Sequence, residues 1–207
     1  MCLCPKGGKS VDSIDYYDRY AVPYYEETVD LSMEDQLERF VELLPESADV
    51  LDLGCGSGRD TVFLEDEGCV VTPMDGSEKM CNLASIHTGK EVLHLRIEEM
   101  EFQNVFHGIW ACAVLGHFPP EKIHDVMERI LAALKEDGIL YFSVRRGDRK
   151  GRYNGRYFYD YNRDSLDDLL DSFPQIQVLD IWKTSDVRED RNNKWFNVLL
   201  KKRKNEE

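Results

Sequence analysis

The chain has 207 residues, 42% of them apolar and 32% charged, and its 40 acidic against 26 basic side chains give a formal net charge of −14. That length suits one domain with a full core, while the excess of acid argues against a duplex-binding protein that works through a broad basic face. No apolar run approaches the length of a membrane span, and no basic-then-apolar leader opens the chain, so a cytoplasmic protein without membrane association is expected.

Residues 1–10, rich in Gly and Lys, are expected to be disordered, ahead of a single domain over 11–203. Ser13 to Leu44 reads as two helical stretches, with Leu37, Phe40, Val41 and Leu44 at helical spacing, a break near Pro23 and an end at Pro45. A strand follows at 49–53, then a helix from Ser57 or Gly58 to Glu67, stopped by Gly68. A second strand at 69–74 leads to a helix from Ser77 to His87 that opens with capping chemistry. Strands at 92–96 and 108–113 come next. Pro119 and Pro120 open a helix to Leu134, Gly138 caps it, and 139–144 is a fifth strand. A helix over 164–173 precedes two alternating segments, 176–184 and 194–202, that suit a strand pair. Strands alternating with helices predict a doubly wound α/β fold, a mostly parallel sheet covered on both faces.

The most informative segment is Val50-Leu51-Asp52-Leu53-Gly54-Cys55-Gly56-Ser57-Gly58. An apolar strand enters three alternating glycines, and a helix starts beyond them. Backbone without Cβ atoms admits a ligand, and the helix N-terminus offers unpaired N–H groups. The second strand delivers Asp75, a carboxylate placed to accept ribose hydroxyls. Asp52 would oppose an incoming pyrophosphate and suits a cationic ligand. S-adenosylmethionine, with its ammonium and sulfonium, is therefore favoured over NAD.

Val50 to Gly58 together with Asp75 resembles motif I of the class I S-adenosylmethionine-dependent methyltransferases. The likeness continues through 96–102, 106–117 and 134–140, covering about Ser10 to Lys201, and the compact shape is similar to bacterial small-molecule members such as the tellurite-resistance group. The resemblance implies a Rossmann-like, seven-stranded sheet with an antiparallel last strand, and an N-terminal helical cap at 11–45. It also implies that Gly54, Gly56 and Gly58 let the methionine part of the donor approach the backbone, with Cys55 among the cofactor-binding residues, and that Asp52 answers its ammonium. Asp75 would then accept both ribose hydroxyls, Met74, Gly76 and Ile97 would border the adenine with Glu98 toward its amine, and Ala111 and Cys112 would offer backbone groups beside the methionine chain. Arg96 stands where many relatives carry an acid, and the Trp110-Ala111-Cys112-Ala113 stretch lacks the signature of amino-directed DNA enzymes.

Methyl transfer needs orientation more than acid–base chemistry, so a base matters only for a protonated acceptor. His117, just past the fourth strand, is the candidate base; the alternative is a structural histidine that holds its loop. Tyr16 and Tyr17 are expected as an aromatic lid over the sulfonium, and Arg145 and Tyr157 as acceptor-binding residues. The six cysteines show no C-x-x-C pair and no metal-ligand spacing, so no metal is expected and the roles of Cys2 and Cys4 stay open. The expected activity is methyl transfer to a small soluble acceptor, with S-adenosylhomocysteine as product. The alternatives are an RNA or protein methyltransferase gripping through the basic 145–156 stretch, and a non-catalytic binder of the adenosyl ligand. Neither the acceptor nor the oligomeric state is encoded in a readable pattern.

Overall fold

The computed structural model of the chain describes residues 13–188 and 190–204; the expectations for residues 1–10, Cys2 and Cys4 lie outside them. Three helices lead, α1 (Ser13–Arg19), α2 (Ala21–Thr28) and α3 (Glu34–Val41). The alternating part runs β1 (Asp49–Leu53), α4 (Arg59–Asp66), β2 (Val70–Asp75), α5 (Glu78–Thr88), β3 (Leu93–His94), β4 (Phe106–Ala111), α6 (Pro120–Ala133) and β5 (Leu134–Arg146). A hairpin of β6 (Lys150–Tyr153) and β7 (Arg156–Tyr159), then α7 (Arg163–Asp171), β8 (Ile176–Ser185) and β9 (Lys194–Lys202), complete it.

The main sheet has seven strands in the order β3-β2-β1-β4-β5-β9-β8. The first five are parallel; β9 runs antiparallel to β5, and β8 antiparallel to β9. The doubly wound, seven-stranded α/β sheet is therefore as expected, antiparallel strand included. The order reverses between β1 and β4, which opens a crevice beyond their carboxyl ends, where ligands of such sheets collect. No helix of the described residues is long and apolar enough to cross a membrane.

Period-two alternation assigns the sheet's two faces. Leu51 and Leu53, Ile109 and Ala111, and Leu140, Phe142 and Val144 point into one core, completed by α6 and α7. Val50, Trp110, Ile139 and Tyr141 point the other way, onto Leu37 and Phe40 of α3 and Leu64 of α4. On that second face the Trp110 and Tyr141 rings stack at 3.8 Å, 10° from parallel.

Four local expectations are corrected. The leading region forms three helices, divided at Tyr20; Pro23 sits in the first turn of α2, where its missing N–H has no helical partner to lose. Strand β3 is only two residues long. Gly138 does not cap α6, because the helix ends at Ala133 and the strand begins at once. It lies instead in a bulge of β5, where the pairing jumps from Phe106–Leu134 to Gly108–Ile139. The basic stretch after β5, for which no strand was expected, is the β6–β7 hairpin, turned by Asn154-Gly155 with φ of +50° and +83°.

Gly108 brings β4 against α3: a Cβ there would lie 2.7 Å from Phe40 Cζ and 2.9 Å from Leu44 Cδ2. Gly108→Ala should therefore cost about 1–3 kcal/mol through overpacking, read as a lower urea midpoint. An unchanged midpoint would mean that α3 is free to move away from the sheet.

Candidate functional site

Beyond β1 the chain turns through Gly54, Gly56 and Gly58 at φ of +74°, +56° and +79°, a left-handed backbone that side chains with a Cβ rarely adopt. Space is short as well, since a Cβ on Gly54 would lie 2.5 Å from Val114 Cγ2. The turn is tied to the end of β2. Gly54 N and Cys55 N donate to the Met74 carbonyl at 2.8 and 3.0 Å. Gly56 N donates to Asp75 Oδ2 at 3.0 Å, and Ser77 N to Oδ1 at 2.8 Å. Each carboxylate oxygen so engaged keeps acceptor capacity for a hydroxyl. Burial raises the Asp75 pKa, and the two N–H bonds hold it back down.

Two adjoining cavities occupy the crevice. The smaller, about 120 Å³, is lined by Met74, Asp75, Gly76, Ile97 and Glu98, the residues expected around an adenosyl group. The larger, about 730 Å³, takes in Cys55, Arg59, Asp60 and Arg145. Gly54, Gly56, Cys112, His117, Tyr17 and Tyr24 border both. The structure thus brings together most of the expected site.

Four expected residues fall outside the lining. Ala111 is fully buried, since it shares the core face of β4 with Ile109. Tyr16 stands behind Tyr17, its ring edge-on at 5.5 Å. Tyr157 contributes backbone only: its carbonyl accepts from His117 Nδ1 at 2.8 Å and its N–H donates to Ser13 Oγ at 3.0 Å. Asp52 is the fourth. It shares a face of β1 with Val50, is 2% exposed, and accepts from Thr61 Oγ1 at 2.6 Å, beneath α4.

The acid that reaches the wall is instead Asp60. Arg59 holds it at 2.6 and 2.9 Å, and Trp110 Nε1 donates to it at 2.8 Å. Burial, with Asp60 close by, pushes the Asp52 carboxyl up to about 8. Both influences favour the protonated form of Asp52. Arg59 and Asp60 immediately follow the glycine turn in sequence and could have been named from that position.

His117 has both ring nitrogens engaged. A carbonyl can only accept, so Nδ1 carries the hydrogen that binds Tyr157 O, and Nε2 accepts from the Tyr17 hydroxyl at 2.9 Å. Burial raises the Tyr17 pKa well above the ordinary phenol value, which keeps that hydrogen in place. His117 thus fastens α1 to the hairpin while it also borders both cavities. Tyr24, seven residues on, meets Tyr17 edge-on at 5.0 Å. Arg145 is gripped by both oxygens of Asp160. Cys112, pushed up to about 12 mainly by burial, stays a thiol. The four described cysteines are free, and no metal-holding cluster exists among the described residues.

Comparison with known proteins gives a consistent result. A family model described as a methyltransferase domain matches residues 25–190. An uncharacterized methyltransferase of Staphylococcus carnosus (strain TM300) is 25% identical over 92% of this chain and 100% of its own length. YqeM of Bacillus subtilis (strain 168), whose methyltransferase name is itself provisional, is 31% identical over 58% of this chain and 52% of its own, so the chain spans about half of that relative. Among solved structures, the 1,6-didemethyltoxoflavin-N1-methyltransferase of Burkholderia thailandensis, holding 1,6-didemethyltoxoflavin and S-adenosylhomocysteine, superposes with a TM-score of 0.72 at 21% identity, covering 98% and 94% of the two chains. The N-methyltransferase NodS of Bradyrhizobium japonicum WM9 gives 0.69 at 14% identity, over 93% and 100%. At these identities the two structures share the fold.

The buried acid gives the protein a pH dependence. Asp52 has a folded-state pKa above the value near 3.9 of an unfolded chain, so its stabilising contribution is complete below about pH 4 and is lost as pH rises through about 8. Asp52→Asn keeps an acceptor for Thr61 and cannot ionise. The wild-type Tm should fall between pH 5 and 9, and the variant's fall should be smaller by a few degrees, since 1 kcal/mol is worth about 2–4 °C at this size. Parallel Tm–pH curves would show that Asp52 is already ionised in the fold.

Proposed function

The chain belongs to the methyltransferase-domain family, and from that premise we propose that it takes a methyl group from S-adenosylmethionine and delivers it to a small soluble acceptor. The observation that carries the reading is Asp75, whose carboxylate lines a chamber of about 120 Å³ beside the glycine turn.

The residues fit this donor. Asp75 would accept the two ribose hydroxyls, and Met74, Gly76 and Ile97 would bound the adenine, with Glu98 at its rim. Gly54 and Gly56 let the donor's chain lie against backbone, beside Cys55 and Cys112. Arg59 and Asp60 offer one charge of each sign to its zwitterionic amino-acid end, the part first assigned to Asp52. When bound, S-adenosylmethionine supplies a methyl on a sulfonium already activated for in-line displacement, so that the acceptor's lone pair forms the new bond as the carbon–sulfur pair leaves to sulfur. The protein's part is to orient the acceptor, exclude water and, for a protonated acceptor, take up a proton. Tyr17, which borders both chambers, would receive that proton and pass its own hydrogen to His117 Nε2. Neighbours such as the Burkholderia enzyme act on a small molecule, and the net charge of −14 disfavours a polyanionic acceptor.

Calorimetric titration with S-adenosylmethionine, S-adenosylhomocysteine and NAD checks the donor. Both adenosyl ligands should bind and NAD should not, and Asp75→Ala should weaken binding about 100-fold, roughly 2.7 kcal/mol. Preferential binding of NAD, or an unaffected variant, would overturn the reading.

A further inference from the structure

Resting on that reading and deepening it, we infer that the acceptor carries an oxyanion, a carboxylate or a phosphate monoester, bound by Arg149 and Arg156 on the wall of the larger cavity. The chain as a whole is strongly acidic, yet six arginines line this one cavity. Four of them are answered: Arg59 by Asp60, Arg145 by Asp160, and Arg188 and Arg191 by Glu27. Arg149 and Arg156 have no carboxylate partner among the described residues, and the Nε of each is buried without a hydrogen-bond acceptor. Buried donors are nearly always satisfied in folded proteins, so two orphans side by side on one cavity wall point to a ligand that supplies the acceptors.

The two guanidinium groups are also set in place. Arg149 Cζ lies 3.8 Å from the centre of the Phe158 ring and 5.2 Å from that of Tyr153. Arg156 Cζ lies 5.0 Å from Phe158 and 4.3 Å from Tyr16. Aromatic faces hold such groups through their flat sides and leave the in-plane N–H donors for a planar or tetrahedral oxyanion. The hairpin makes this possible, since Arg149 immediately precedes β6, Arg156 opens β7, and Phe158 lies between them in space. This explains what Tyr16 and Tyr153 do: neither lines the cavity, and each holds one of the two arginines. It also separates the charges of the two substrates. The donor's carboxylate has Arg59 beside the glycine turn, while Arg149 and Arg156 stand on the far strand connection, next to Tyr17.

The test is calorimetric titration of the full chain, with and without S-adenosylhomocysteine, using benzoate, phenyl phosphate and uncharged benzamide as probes. At least one of the two oxyanions should bind ten-fold or more tightly than benzamide, and which of them does so decides between carboxylate and phosphate. Arg149→Met and Arg156→Met, which keep the stems on their aromatic supports, should each weaken that probe at least ten-fold and leave S-adenosylhomocysteine affinity within two-fold. Arg156→Lys should retain an intermediate affinity, the charge without the fork. The inference is overturned if neither oxyanion binds the unsubstituted protein, or if binding ignores both methionine substitutions. It is equally overturned if either substitution weakens S-adenosylhomocysteine ten-fold, because the arginine would then serve the donor. Failure of S-adenosylhomocysteine to bind the unsubstituted protein would refute the donor instead, and the probe titrations on the free protein would still decide the oxyanion site.

Discussion

Three backbone N–H groups govern this molecule. Gly54 N, Cys55 N and Gly56 N, at the end of β1, all bond to the end of β2, the first two to the Met74 carbonyl and the third to Asp75. These bonds require the left-handed turn, and the turn requires glycine. They also set where α4 begins and fix the carboxylate of Asp75 against the smaller chamber. A turn that moved independently of β2 would still lie at the switch point of the sheet, but its ribose acceptor would no longer be held at a fixed distance from the glycines. The site is pre-organised because one set of hydrogen bonds shapes the turn and aims the carboxylate.

Beneath the turn, one sheet face carries a polar seam through an otherwise apolar layer. Asp52 and Trp110 are register partners on β1 and β4, and Asp60 from α4 meets the indole N–H. Further along, the Tyr141 hydroxyl donates to Asn197 at 2.8 Å, and the Ser143 hydroxyl accepts from Ala113 N at 2.9 Å. Each of these buried polar groups finds a partner, which is the condition for tolerating such a seam. Burial in this layer, with Asp60 close by, favours the protonated form of Asp52. The same face that stabilises the sheet therefore also sets the charge on the wall of the larger cavity.

The central architecture was legible because period two and glycine chemistry are local. Alternation at 176–184 and 194–202 marked the strand pair, and the glycine turn with Asp75 marked the ligand site. Some misses had a signal that went unused. Asp52 and Ala111 each share parity with a buried neighbour, Val50 and Ile109, and that parity already turns both away from the crevice. Asn154-Gly155 is a hairpin signature within the basic stretch. Other features had no local signal at all. The pairing of Arg145 with Asp160, and hence which arginines remain without a carboxylate, depends on how the hairpin folds back. The bond from Tyr17 to His117 spans 100 residues. The bulge of β5 defeated the capping rule at Gly138 because strand pairing with β4 competes there with helix termination.

That separation along the chain has a kinetic meaning. The roof over the crevice is closed by contacts between distant segments, Tyr17 to His117 and Ser13 to Tyr157, the latter 144 residues apart. The sheet beneath is built largely from neighbouring β–α units with shorter loops to close. Contacts of long range are the last to repay their closure entropy and the first to be given up. The roof is thus the least cooperative part of the fold, able to come away while β1, β2, β4 and β5 stay paired. Amide exchange in this roof is therefore expected to outpace exchange in the paired strands beneath it.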